Sequence, residues 1–232
     1  MANKMIYSAS GMTIGHEGRT LCSGISFDIC EGDCIMLCGA NGSGKTTLMK
    51  TLAFAKDIKT QMAGECIMIP ARIPKISGFT LREFVRISCY SKSDMYGKLA
   101  PEEETAMQQA IEDLGLTPLA DRDISTLSDG EFQKAGIASA LVRKASIILL
   151  DEPTAFLDAQ NRISVLNTLR DICRREHGGS RRPAVIFSTH DLHDGLKVCT
   201  KVFAIGADGR FRVSAENTQE SKAAAMSSIF QQ

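Results

Sequence analysis

Two kinds of strand-like stretch alternate with helical ones along the chain. Residues 5–14 and 20–30 set apolar and polar side chains at alternate positions, the pattern of strands with one buried face. By contrast, 34–38 (CIMLC), 147–150 (IILL) and 184–188 (AVIFS) are continuous apolar runs, which suit a parallel sheet covered on both sides. Helical spacing follows several of these runs, over 45–54, 159–175 and 191–198. Strand then helix, repeated, predicts an α/β fold. Between about 71 and 130 the character changes: TLREFVRISCY and PEEETAMQQAIEDLG have helical spacing and no strong strand, and the second opens on Pro101 with an acidic first turn. The expectation is a helical subdomain over 71–130, inserted into a core made of 1–70 and 131–215. A small polar tail, 216–232, ends near the apolar pair Ile229 and Phe230 and is expected to fray or to dock late.

Composition narrows the class. The 232 residues are 44% hydrophobic, enough for one large domain or a domain with an insertion. Lys plus Arg and Asp plus Glu both number 27, so the chain lacks the basic excess of nucleic-acid binders and no nucleic-acid partner is expected. The N-terminus has no apolar core behind basic residues, and no run approaches the roughly 18 apolar residues of a spanning helix, so a cytosolic or peripheral location is expected. The eight cysteines form no C-x-x-C pair and several lie in apolar runs, which predicts reduced, buried thiols. Cys30, Cys34 and Cys38 recur every four residues, but no histidine accompanies them and a metal site there is not expected.

Chemistry enters after CIMLC. Gly39-Ala40-Asn41-Gly42-Ser43-Gly44-Lys45-Thr46 is a full G-x-x-x-x-G-K-[ST] match, placed between a strand and a helix. Glycines let successive N–H groups turn inward around phosphate oxygens, and the helix N-terminus that follows adds partial positive charge. Lys45 would reach the β and γ phosphates, the Thr46 hydroxyl suits Mg²⁺, and Thr47 can donate to the α phosphate. The run IILL delivers two adjacent acids, Asp151 and Glu152. A strand parallel to 34–38 in the same sheet would end beside the phosphate loop, with Asp151 holding Mg²⁺ through its water shell. Glu152 is then placed to polarise a water attacking the γ phosphate, as general base or water-orienter.

LSDGE, residues 127–131, supplies a second anion site. Ser128 followed by Glu131 has capping-box spacing, so a helix is expected to start there with its free amides and dipole facing outward, and Gly130 leaves those amides uncovered. An ordinary capped helix would look the same in isolation. Because the phosphate loop already fills the first site, the economical arrangement is that this helix end caps nucleotide held by a second copy of the chain.

In the order GANGSGKTT, LSDGEFQ, IILLDEP, AFLD, STHD the sequence resembles the ATP-binding subunit of ABC transporters, from about residue 5 to 214. That resemblance implies a P-loop NTPase (RecA-like) fold with an N-terminal antiparallel β subdomain, ATP hydrolysis with Mg²⁺, and a homodimer with ATP between the copies. It implies Ser128 and Gly130 as contacts to the opposite γ phosphate, Asp158 in a loop that communicates across the dimer, and His190 as a switch histidine touching the γ phosphate. A histidine after VIFST would otherwise read as a turn or cap residue. Transmembrane permease subunits are implied as partners, with a substrate-binding protein as an indirect one, and a peripheral place on the inner face of the membrane. Of the importers, those for iron-siderophore, haem or cobalamin complexes look most alike. A soluble family ATPase, for example in iron-sulfur cluster assembly, and a weakly hydrolysing nucleotide switch are the alternatives.

Four positions depart from the family pattern. His16 stands about where an aromatic ring usually stacks on adenine, and imidazole offers less area. Asp129 and Glu131 replace the Gly and Gln of the usual LSGGQ signature. Ala71 occupies the strand-to-helix junction that normally carries a Gln contacting Mg²⁺ and the lytic water, and a methyl group can neither coordinate nor hydrogen-bond. Either Arg72 substitutes, or the coupling between hydrolysis and the helical insertion is altered.

Overall fold

A computed structural model describes residues 4–62, 64–72, 74–89, 99–177 and 181–230. The alternating segments become β1 (Met5–His16) and β2 (Arg19–Cys30), an antiparallel pair slightly longer than their patterns, with inward Ile14, Ile25 and Ile29 almost fully buried. The apolar runs become β3 (Cys34–Gly39), β5 (Ile147–Leu150) and β6 (Ala184–Ser188), joined by β4 (Cys66–Ile69), β7 (Lys201–Ile205) and β8 (Phe211–Val213). These six form one sheet in the order β4-β5-β6-β3-β7-β8, parallel except for β8. Every side chain of β5 is at 0% exposure, which is why that run carries no alternation. Each such Ile or Leu contributes roughly 1.5–3 kcal/mol of transfer free energy.

The sheet divides two apolar layers. One holds Ile35, Leu37, Leu149 and Ile186 beneath the β1–β2 arm and α1 (Lys45–Phe54). The arm is clamped by Phe27, whose ring lies 4.7 Å from Phe203 and 5.6 Å from Phe211. The other layer buries Met36, Ile148, Val185 and Phe187 against α5 (Asp129–Val142), α6 (Ala159–Arg174) and α7 (Leu192–Val198). A short α2 (Lys56–Gln61), β7 and β8 had no counterpart among the expected elements.

Helical spacing in the insertion resolves into α3 (Leu81–Ile87) and α4 (Pro101–Asp113). Thr80 and Glu83 close a capping box on α3, and Pro101 with Glu102, Glu103 and Glu104 opens α4 as expected. The end of TLREFVRISCY, Tyr90, lies outside the described residues. Both helices pack on α5, so the expected boundary at 130/131 falls in the first turn of a helix that serves both parts. The tail forms α8 (Gln219–Phe230), which packs on β7 and β8: buried Lys222 donates from Nζ to the Cys199 carbonyl at 2.6 Å, and Ala225 and Met226 enter the core. The tail is thus docked; the side chains of Ile229 and Phe230 lie outside the described residues. All eight cysteines are thiols and seven are buried, and burial pushes Cys38 and Cys199 up to about 12. Cys30 lies on β2, and Cys34 and Cys38 lie on β3.

Candidate functional site

The turn between β3 and α1 is built around glycine. A Cβ on Gly39 would come within 2.6 Å of Ser43 Oγ and 2.7 Å of the Ile205 carbonyl, and Gly44, the N-cap of α1, has φ 107°. The Ser43 hydroxyl is buried in this loop with no partner atom among the described residues, a ready donor for an anion. Lys45 is 7% exposed, and its ammonium donates to the carbonyls of Gly39 at 2.9 Å and Ala40 at 3.2 Å. Burial pulls its pKa below the ordinary lysine value, while the charges of Glu152 and Asp151 oppose that pull.

The two acids after β5 occupy different environments. Asp151 Oδ2 accepts from Thr46 Oγ1 at 2.8 Å, and Oδ1 accepts from Ser188 Oγ at 2.8 Å. The expected juxtaposition holds, although β6 lies between β3 and β5. Ser188, the last residue of β6, spans that gap and also accepts from the Glu152 amide at 2.8 Å. Glu152 has φ 48°, a left-handed backbone that costs an L-residue energy and is retained here by these contacts. Its carboxylate Oε1 lies 2.8 Å from His190 Nε2. Sequence reasoning missed Ser188, whose only signal was a hydroxyl ending an otherwise apolar run.

Ser128 caps α5 as its spacing predicted: its hydroxyl accepts from the Glu131 amide at 3.3 Å, and Glu131 Oε2 accepts from Ser128 N at 2.7 Å. That backbone contact holds the Glu131 carboxyl below its usual range. Gly130 packs closely on Asn161 of α6, where a Cβ would meet the Asn161 side chain at 3.4 Å. Asn161 is in turn fixed by Asp158, which accepts from its amide and from its Nδ2, both at 2.8 Å. Asp158 and Gly130 are therefore linked through one asparagine that sequence reasoning did not single out.

A cleft of about 550 Å³ is lined among others by Ala71, Arg72, Lys75, Asp129, Gln133 and Glu152. Ala71 faces it, but the Arg72 guanidinium stacks 4.1 Å from the centroid of the Phe156 ring. Gln133, 7% exposed, keeps an Nε2 at the cleft that has no partner among the described residues. His16, at the tip of the β1–β2 arm, has 69% of its side chain exposed and lies 3.8 Å from Glu17. It stands two residues beyond Ile14, whose Cδ1 would touch a Cβ on Gly44 at 3.1 Å.

A glycine loop on a helix N-terminus, a buried lysine and an acid at the C-terminal end of an interior strand define a P-loop nucleotide-binding protein of the α/β class. The family model described as ABC transporter matches residues 22–155, more than half of the chain, and the chain belongs to that family. It is an ATP-binding ATPase of the kind that couples hydrolysis to transport. It is 29% identical over 210 residues to the achromobactin transport ATP-binding protein CbrD of Dickeya dadantii, covering 84% of this chain and 76% of the relative. It is 32% identical to the aliphatic sulfonates import ATP-binding protein SsuB 2 of Pseudomonas savastanoi pv. phaseolicola, covering 89% and 74%. With the ferric enterobactin transport ATP-binding protein FepC of Escherichia coli it shares 27% identity, covering 84% and 76%. Its fold superposes on an inward-facing metal-chelate-type ABC transporter with a TM-score of 0.80 at 24% identity, covering 96% of this chain and 89% of that one. The expected architecture is thereby the observed one: a parallel core, an antiparallel arm and helices between. ATP-binding subunits of such importers dimerise and work with membrane permeases, and among the described residues no helix is long and apolar enough to cross a membrane.

Proposed function

We propose that this chain is the ATP-hydrolysing subunit of an importer for a metal chelate, working as a homodimer on the inner face of a membrane, in the cytoplasm. Relatives named for achromobactin, iron(3+)-hydroxamate and ferric enterobactin support the cargo class. The relative named for aliphatic sulfonates supports the competing one. The observation that carries the mechanism is the single cluster of Lys45, Thr46, Asp151, Ser188, Glu152 and His190, whose Glu152 shares a cleft with Asp129 in the first turn of the Ser128-capped helix.

In this reading the amides of Gly39–Thr47 and the Lys45 ammonium hold the β and γ phosphates, with Thr47 on the α phosphate and His16 against the base. The fit is supported by the Ser43 hydroxyl, which has no partner among the described residues, and by a loop too tight at Gly39 for any side chain. Thr46 and Asp151, whose oxygens already meet, would hold Mg²⁺, which when bound neutralises phosphate charge. Glu152 takes a proton from the attacking water, and His190, hydrogen-bonded to it, orients that carboxylate and meets the γ phosphate. A second copy offers Ser128 and Gly130 to the same phosphate, and Asp158 reports on closure through Asn161. Residues 71–130 act as the helical subdomain that meets the permease, with 1–70 and 131–215 as core and 216–232 as a docked tail.

Two experiments bear on this. Deleting the gene in its host should abolish uptake of a ferric chelate and leave growth on sulfonate unchanged; the reverse pattern would assign the sulfonate cargo instead. Restoring the family's amide by Ala71→Gln should raise kcat in steady phosphate release by roughly threefold or more, since general-base and water-positioning contacts act on the chemical step. An unchanged kcat would show that this chain does without that amide.

A further inference from the structure

Two carboxylates stand in the first turn of α5, Asp129 at its first position and Glu131 at its third. Such charges suit a helix N-terminus but compete with any phosphate for the same field. Glu131 is committed inside the turn, through its bond to Ser128 N. Asp129 is met from outside the helix: Lys75 Nζ lies 2.6 Å from its Oδ1 and donates to the Leu127 carbonyl at 2.8 Å. Lys75 belongs to the loop after β4 that carries Ala71, and its ammonium also sits 5.8 Å from the Phe132 ring centroid. The carboxylate is 61% exposed and the lysine side chain 24%, so the pair does little for folding, where exposed ion pairs contribute little.

We propose that Lys75 is a positioning residue for ATP-driven dimer closure: by pairing with Asp129 and holding the Leu127 carbonyl, it makes an acidic signature end fit to receive a phosphate, and it ties that end to the loop after β4. The proposal rests on the reading of Ser128 and Gly130 as the phosphate-receiving end. With Lys75 in place, an aspartate is tolerated where the family usually has glycine. Without it, the Asp129 charge would face the γ phosphate of the partner copy across a short, water-poor gap and oppose closure.

The test is ATP-titrated dimerisation followed by gel filtration, in the Glu152→Gln chain. Lys75→Ala should raise the ATP concentration at half-maximal dimer by on the order of tenfold, equivalent to about 1.4 kcal/mol, with the monomer's melting temperature unchanged. Lys75→Arg should keep the original midpoint, and Lys75→Ala combined with Asp129→Gly should restore it, because removing the acid removes the need for the lysine. An unshifted midpoint in Lys75→Ala overturns the proposal, and so does a defect that persists undiminished beside Asp129→Gly, which would mark a purely structural lysine. If the chain with Lys75 and Asp129 intact fails to dimerise at any ATP concentration, the phosphate-receiving reading itself has failed and takes the proposal with it.

Discussion

Lys45→Ala is expected to weaken ATP binding by about one and a half to nearly four orders of magnitude while leaving the fold intact. The ammonium has two tasks. It staples the phosphate loop through the Gly39 and Ala40 carbonyls, and it is the cation that burial and two neighbouring acids aim at the nucleotide. A buried lysine with a depressed pKa is held in a costly environment, and a polyphosphate that pairs with it relieves that cost. Alanine removes the charge and leaves Asp151 and Glu152 facing phosphate with no cation from the loop. Losing one partner of a buried, charge-assisted contact costs roughly 2–5 kcal/mol, so affinity should fall by about 30- to 5,000-fold. Titration calorimetry with ATP reads this directly, and circular dichroism checks that α1 survives. Wild-type affinity in Lys45→Ala would mean that the loop's amides alone hold the nucleotide and that the lysine has been assigned wrongly.

Much of the core was legible because burial writes itself into periodicity. A strand covered on both faces is apolar along its length, as β3, β5 and β6 are but for the terminal Ser188; the arm, open on one face, alternates in β2 from Ile25 to Ile29, while register shifts interrupt the alternation in β1. The phosphate loop and the Ser128 cap were readable for a related reason, since each depends on residues close in sequence whose spacing fixes the local geometry. What the sequence hid is tertiary. Nothing near Ser188 announces that its hydroxyl joins Asp151 to the Glu152 amide, because those partners stand 37 and 36 positions away. The same holds for Lys75 and Asp129, 54 positions apart, and for Asn161, which connects Gly130 to Asp158 only once α5 and α6 are packed. The tail was undecided for want of a strong pattern: α8 docks through a buried Lys222 together with Ala225 and Met226 rather than through a broad apolar stripe. The small, local features were visible and the bridges between them were not.

Glu152→Gln is expected to hold the chain as an ATP-bound dimer that hardly turns over. The substitution keeps shape and most contacts: the backbone amide still donates to Ser188 Oγ, and a glutamine oxygen can still accept from His190 Nε2. It removes two things, the ability to take a proton from water and one negative charge beside the γ phosphate. Loss of the proton acceptor should lower steady phosphate release by about 100- to 10,000-fold. Loss of the charge acts in the opposite direction on closure, since a carboxylate close to phosphate repels it across the partly dry interface. Slower opening and easier closing both favour the dimer, so the variant should elute at twice the mass with ATP and revert to monomer without nucleotide. Glutamine inherits the left-handed backbone of position 152, which fixes the direction in which the side chain leaves the chain. Full turnover in this variant would transfer the base role to another group at the cleft. A variant that binds ATP tightly yet stays monomeric at every concentration would remove the partner copy from the site, and with it the phosphate-receiving role of the exposed Ser128 cap.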